Sequence, residues 1–274
     1  NLTPVIEGDA LYEGNETFTI TLSNINNASD GTTVHTVTIA DNETTPTIGF
    51  ASATDGANEF TATKSLTIAL DAVSGLNATV NYSATGGTAT GGGTDYTLAD
   101  GSVTINAGLD PPQVTFDLTI VPDDLDEENE TVLITLTSPG NSTLGTTQLT
   151  FTITDDDDPP SLAFTTNSFS VSEATTAGEL TLALSGVSGK DVTYGYTINA
   201  VTTTATGGGV DYTLAAGVGT ISAGSAGGSI LFTVNNDLLD EVDELLVVTL
   251  DTDQFVNAIL TGTPLEATYT IVDN

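Results

Sequence analysis

Asp123-Asp124-Leu125-Asp126-Glu127-Glu128-Asn129-Glu130-Thr131-Val132-Leu133-Ile134-Thr135-Leu136 joins two patterns, a run of acids and a stretch of period two directly after it. Val132, Ile134 and Leu136 fall on one face, as a half-buried strand requires. The same order stands about 114 residues earlier, where Asp9-Ala10-Leu11-Tyr12-Glu13-Gly14-Asn15-Glu16 precedes Thr17-Phe18-Thr19-Ile20-Thr21-Leu22, and again later at Asp237-Leu238-Leu239-Asp240-Glu241-Val242-Asp243-Glu244. All three copies keep the spacing Asp-x3-Glu-x2-Glu. A period of this length means an array of similar domains, and acids held in register point to a task shared by the copies.

The rest of the chain repeats as well. Ile48-Gly49-Phe50 aligns with Leu162-Ala163-Phe164, Glu59 with Glu173, and Asp95-Tyr96-Thr97-Leu98 with Asp211-Tyr212-Thr213-Leu214. Period-two runs such as Ser65 to Leu70, Val114 to Ile120 and Leu149 to Ile153 alternate with Gly, Asn, Asp and Pro clusters, and no apolar pattern runs at helical spacing for three turns. The fold expected is all-β, with tandem sandwich domains. Boundaries are expected at Thr45-Pro46 and Pro159-Pro160, each after an acidic run, where proline stiffens the joint. This gives residues 1–44 as the second half of a repeat, and 45–158 and 159–274 as complete domains. A half repeat cannot close a sandwich, so the chain is expected to be a piece of a longer one.

Composition narrows the function. Against 37 acids stand two bases, Lys64 and Lys190, for a formal charge of -35. There is no basic surface to replace the counterions of a nucleic acid, and an anionic membrane would repel the chain. No stretch has the apolar length of a membrane span, so direct insertion is not expected. With 38% hydrophobic residues in strand-like runs the chain should fold, but converging carboxylates favour it only if cations neutralise them or the charge is spread. Cys, Met and Trp are absent, which rules out disulfides and thiol chemistry.

Four ordered motifs resemble the Calx-beta domain, a family known from sodium–calcium exchanger regulatory regions and from large bacterial surface proteins. They are Val171-Ser172-Glu173, then Thr204-Ala205-Thr206-Gly207-Gly208-Gly209-Val210-Asp211-Tyr212, then Asp237-x3-Glu241-x2-Glu244, and a terminal acid, Asp273. The preceding copy has Asn58-Glu59, Thr88 to Tyr96, Asp123-x3-Glu127-x2-Glu130 and Asp155-Asp156-Asp157. The resemblance implies a seven-stranded, immunoglobulin-like sandwich with Ca2+ held by loops at one end. By position, the ligands it implies are Glu59, Asp95, Asp123, Glu127, Glu130, Asp155, Asp156 and Asp157 in the second repeat, and Glu173, Asp211, Asp237, Glu241, Glu244 and Asp273 in the third. The first repeat retains Asp9, Glu13, Glu16 and Asp41 to Glu43.

The residue chemistry runs the same way. Ca2+ takes six to eight oxygen ligands in irregular geometry, whereas this chain offers almost no nitrogen or sulfur for zinc or copper. Rival motifs fail on local grounds. The glycine run Thr85 to Gly93 lacks the Lys and helix of a phosphate loop, and the acidic run lacks the central Gly and flanking helices of an EF-hand. Paired acids could hydrolyse a glycoside, but an active site copied into every repeat is improbable. His35 has no counterpart in the other copies, and no Ser or Thr has an evident base.

The function expected is therefore non-enzymatic: a calcium-binding structural segment of an extracellular or cell-surface protein, such as an adhesin, stalk or filament. Calcium and neighbouring repeats are its expected partners, with the ions stiffening the joints. The alternative is a module whose loops recognise a surface glycan or a protein, with calcium secondary or absent.

Overall fold

The computed structural model describes residues 3–29, 31–260 and 262–273, apart from the side chain of Thr252. It divides into two compact units, Asn1–Pro122 with Asn129–Thr154, and Asp123–Glu128 with Asp155–Asn274. Every regular element among the described residues is a strand.

In the first unit, β1 (Glu16–Thr21) and β2 (Val34–Ile39) form a two-stranded antiparallel ribbon. The sandwich that follows contains β3 (Thr47–Phe50), β4 (Thr54–Asn58), β5 (Thr63–Leu70), β6 (Ala78–Gly87), β7 (Tyr96–Thr97), β8 (Gly101–Ile105), β9 (Gln113–Ile120), β10 (Glu130–Gly140), β11 (Thr143–Leu144) and β12 (Gln148–Thr154). One sheet has the order β4-β12-β10-β6-β8 and the other β11-β3-β5-β9-β7.

The second unit has β13 (Leu162–Phe164), β14 (Ser168–Ser172), β15 (Ala177–Leu184), β16 (Val192–Ile198), β17 (Tyr212–Thr213), β18 (Gly217–Ile221), β19 (Gly227–Val234), β20 (Glu244–Val256) and β21 (Glu266–Val272). Its sheets are ordered β13-β15-β19-β17 and β14-β21-β20-β16-β18. If each broken first strand is counted once and the two-residue pieces β7, β11 and β17 are set aside, each sandwich has seven strands. This is the all-β, immunoglobulin-like architecture expected.

Period two explains the layers. Along β9 the buried residues are Phe116, Leu118 and Ile120, and along β12 they are Leu149, Phe151 and Ile153, with polar residues facing out. Each sandwich has its own core, centred on residues such as Ile68, Ile134 and Phe151 in one and Leu180, Val234 and Leu246 in the other. Each such side chain contributes about 1.5–3 kcal/mol by leaving water.

The break in the first strand positions the site. β3 pairs antiparallel with β5, whereas β4 crosses to the other sheet and runs parallel to β12, with Asn58 opposite Thr154. In the second unit β14 likewise runs parallel to β21, ending with Ser172 opposite Val272. An acid just after the first strand is thus carried to the end of the last strand, about a hundred residues away in sequence. The close pairing behind the break needs glycine at Gly49, where a Cβ would meet the Thr146 backbone nitrogen at 2.6 Å.

Candidate metal centre

The third repeat has all its candidate acids in the second unit. Glu173, 6% exposed, follows β14 and donates its backbone N–H to the carbonyl of Val272 at 2.9 Å, which sets it beside Asp273. Glu244 is the first residue of β20 and lies opposite Ile271 of β21. Asp211 arrives by a third route, on the glycine loop. There Gly208 and Gly209 take φ of +74° and +95°, which lets the chain turn back so that the Asp211 carboxylate accepts the Thr206 N–H. Tyr212, next in line, is buried in the core with Gly207 packed against its ring.

These routes converge. Asp211, Glu241 and Glu244 each offer one carboxylate oxygen, and the three oxygens lie within 4.8 Å of one another. The electrostatic consequence is large. Glu244 is pushed up to about 7 by burial, by its hydrogen bond to Asp211 and by the charges of Asp211, Glu241 and Glu173. Glu241 is raised by desolvation and by the charges of Asp237, Asp211, Glu173 and Asp273. The other four acids of the third repeat therefore all act on this one pair. Asp273 Oδ1 is buried with no hydrogen-bond partner, which is costly for a carboxylate oxygen unless something positive meets it.

The second repeat's acids divide between the units, Glu59, Asp95 and Glu130 in the first and Asp123, Glu127, Asp155, Asp156 and Asp157 in the second. Within the first unit the third repeat's design recurs. Glu59, 8% exposed, donates its N–H to the Thr154 carbonyl at 2.9 Å, the Asp95 carboxylate accepts the Thr90 N–H, and Asp95 and Glu130 bring carboxylate oxygens within 4.8 Å. Glu130 opens β10 as Glu244 opens β20. Within the second unit Asp155 and Asp157 approach to the same limit. Asp157 is raised by burial and by the charges of Asp155, Asp156, Asp124 and Asp123, and its Oδ2 is buried without a hydrogen bond.

The shortened first repeat also gathers its acids. Glu13 is raised by Asp9, by desolvation and by Glu16 and Asp41. Asp41 is lowered by a hydrogen bond from Glu43, which is raised by the same bond, and Asp41 Oδ2 also accepts the Gly14 N–H at 3.2 Å. Sequence reasoning gave this copy the fewest candidate acids, with no counterpart of Glu59 or Asp95. It missed that β1 and β2 alone bring the acid loop to the terminal acids, with Glu16 opposite Ile39 as Glu130 is opposite Ile153.

The chain's sequence agrees with the Calx-beta domain model over residues 4–43, 41–157 and 155–274. The chain belongs to the Calx-beta domain family. Similar solved structures include CBD12 from CALX1.2 (23% identity over 75% of this chain and 80% of that one, TM-score 0.39) and the calcium binding domain CBD12 of CALX1.1 (24% identity over the same shares, TM-score 0.39). The apo-form Calx CBD1 domain matches over its full length and 42% of this chain, at 24% identity and a TM-score of 0.39. No curated protein matches the chain. The three Calx-beta segments follow one another in tandem, and the third spans every acid of the cluster around Glu244.

A second polar group, absent from the candidate ligands, lies in the second unit. Lys190 Nζ is 2.7 Å from Asp126 Oδ1 and 3.5 Å from Asp155 Oδ2. Its signal in the sequence was that Lys190 is one of only two bases, but Leu76 stands in its place one repeat earlier, so no pattern marks it.

Proposed function

We propose that these tandem Calx-beta domains bind Ca2+ through the clustered loop acids and serve as a structural segment of a surface-exposed protein. The observation that carries this reading is the convergence of Glu173, Asp211, Asp237, Glu241, Glu244 and Asp273, where Glu244 holds a proton to about 7 and Asp273 Oδ1 is buried without a donor. Such an oxygen-only set suits a hard cation that accepts irregular coordination, and a divalent ion supplies the positive charge that the acids lack. The same reading takes Glu59, Asp95 and Glu130 as metal-holding acids of the first unit, and Asp123, Glu127 and Asp155 to Asp157 as those of the second. The domain limits 45–158 and 159–274 belong to the same proposal. Acids at the entry to each Pro-bearing linker favour a mechanical role, in which bound ions stiffen the chain. Small-angle scattering with calcium and with chelator tests that part: the maximum dimension should grow with calcium, and an unchanged dimension would remove the stiffening role.

A further inference from the structure

Three loops of this chain share one shape, and two of them are covered. In each, an Asp carboxylate accepts the N–H of the Leu two residues on, at 2.8 Å for Asp9 and Leu11, 2.8 Å for Asp123 and Leu125, and 2.6 Å for Asp237 and Leu239. The next residue is Tyr12, Asp126 or Asp240. In the first unit the Tyr12 carbonyl accepts the Gly75 N–H at 2.9 Å and the Ser74 hydroxyl at 3.3 Å. In the second unit the Asp126 carbonyl accepts the Gly189 N–H at 2.9 Å and the Ser188 hydroxyl at 3.4 Å. Ser74 and Ser188 are buried, and their carbonyls accept from Gly108 and Gly224 at 2.8 and 2.9 Å. One backbone clasp is thus built twice.

The side chains around the clasp differ in a matched way. Where the loop has Asp126, the residue after Ser-Gly is Lys190, and the two form an ion pair in which Asp126 is 3% exposed. Where the loop has Tyr12, the residue after Ser-Gly is Leu76. The third loop carries the charged member, Asp240, but it lies open. Leu239 is 64% exposed whereas its counterparts Leu11 and Leu125 are half-buried, and Leu238 and Val242 are exposed beside it. Its Asp237–Leu239 turn is already formed, so little ordering remains to be done on binding.

We propose that the Asp237–Val242 loop is a docking surface for a further sandwich repeat bearing a Ser-Gly-Lys turn. The Asp240 carbonyl takes the Ser hydroxyl and Gly N–H, its carboxylate takes the Lys ammonium, and Leu239 is covered. A Ser-Gly-Leu turn is the wrong partner, because it would bury the Asp240 carboxylate without a counter-charge. A second copy of the intact chain is not the occupant either, since its Ser74 and Ser188 turns are already taken.

The test extends the full chain after Asn274 with a second copy of residues 157–274, which brings a fresh Ser188-Gly189-Lys190 turn. The chain has no cysteine, so Leu239→Cys gives a single thiol whose alkylation rate can be read with and without the extension. The extension should slow alkylation by about tenfold or more, and an unchanged rate overturns the proposal. A second reading uses charge. Asp240→Lys should lower the melting temperature of the extended chain only, and Lys190→Asp in the appended copy should restore it. An equal effect in both chains, or no restoration, also overturns the proposal. Both readings are made in calcium and in chelator, so failure of the docking and failure of calcium binding are told apart.

Discussion

The ammonium of Lys190 lies 2.7 Å from the carboxylate of Asp126, a side chain only 3% exposed. Burial works to lower the lysine, but the hydrogen bond to Asp126 and the charges of Asp126, Asp155 and Glu128 outweigh it and raise it. The raised value means the pair's contribution is present across neutral pH and is lost only as pH climbs through the folded value, above 10.5. Lys190→Met, which strands a buried carboxylate, should destabilise the second unit by about 3 kcal/mol in denaturant unfolding. The pair Asp126→Tyr with Lys190→Leu, the combination found at Tyr12 and Leu76, should recover most of that loss.

Asp211→Asn separates loop shape from charge. The amide oxygen can still accept the Thr206 N–H, so the glycine loop should keep its fold. With one charge fewer beside Glu241 and Glu244, the chain in chelator should melt no lower than the parent, while calcium affinity in the third repeat falls by about tenfold or more. Thermal scans in chelator paired with calcium titration check both halves.

The cluster should also give a pH signature. Glu244 is raised from 4.5 to about 7, so between those values the folded, metal-free chain holds a proton that the unfolded chain has lost. Its contribution to stability is therefore largest at low pH and falls as pH rises through about 7. In chelator, the melting temperature should drop as pH rises from 4.5 through about 7, and Glu244→Gln should flatten the drop. Excess calcium should remove it, since a bound cation takes the proton's place.

Gly189 links the clasp to a candidate ligand. A Cβ there would come within 2.6 Å of Cγ of Glu127, so Gly189→Ala must push that side chain aside. Calcium binding in the second repeat should weaken while the third repeat's is unchanged. Titrating Gly189→Ala against Gly189→Ala with Asp211→Asn distinguishes the two.

Much of this was legible in the sequence because strands of period two and turns rich in Gly, Asn and Asp announce themselves locally. Glu59 and Glu173 were placed among the acids by the family resemblance, and the parallel pairing of β4 with β12 and of β14 with β21 explains why they arrive there. Tyr96 and Tyr212, which follow the candidate ligands Asp95 and Asp211 in the repeated motif, are 8% and 4% exposed in the cores. Other features left no trace. The Lys190 and Asp126 pair does not recur, Ser74 and Ser188 are ordinary turn residues by type, and the burial of both serines depends on a loop more than sixty residues away.

Calorimetric titration of the chelator-treated full chain with calcium at pH 7 tests the central claim most directly. A saturable heat, accompanied by proton release to the buffer and weakened by Asp211→Asn, is the predicted result. Heats of dilution alone, with a melting temperature that calcium does not move, would contradict it.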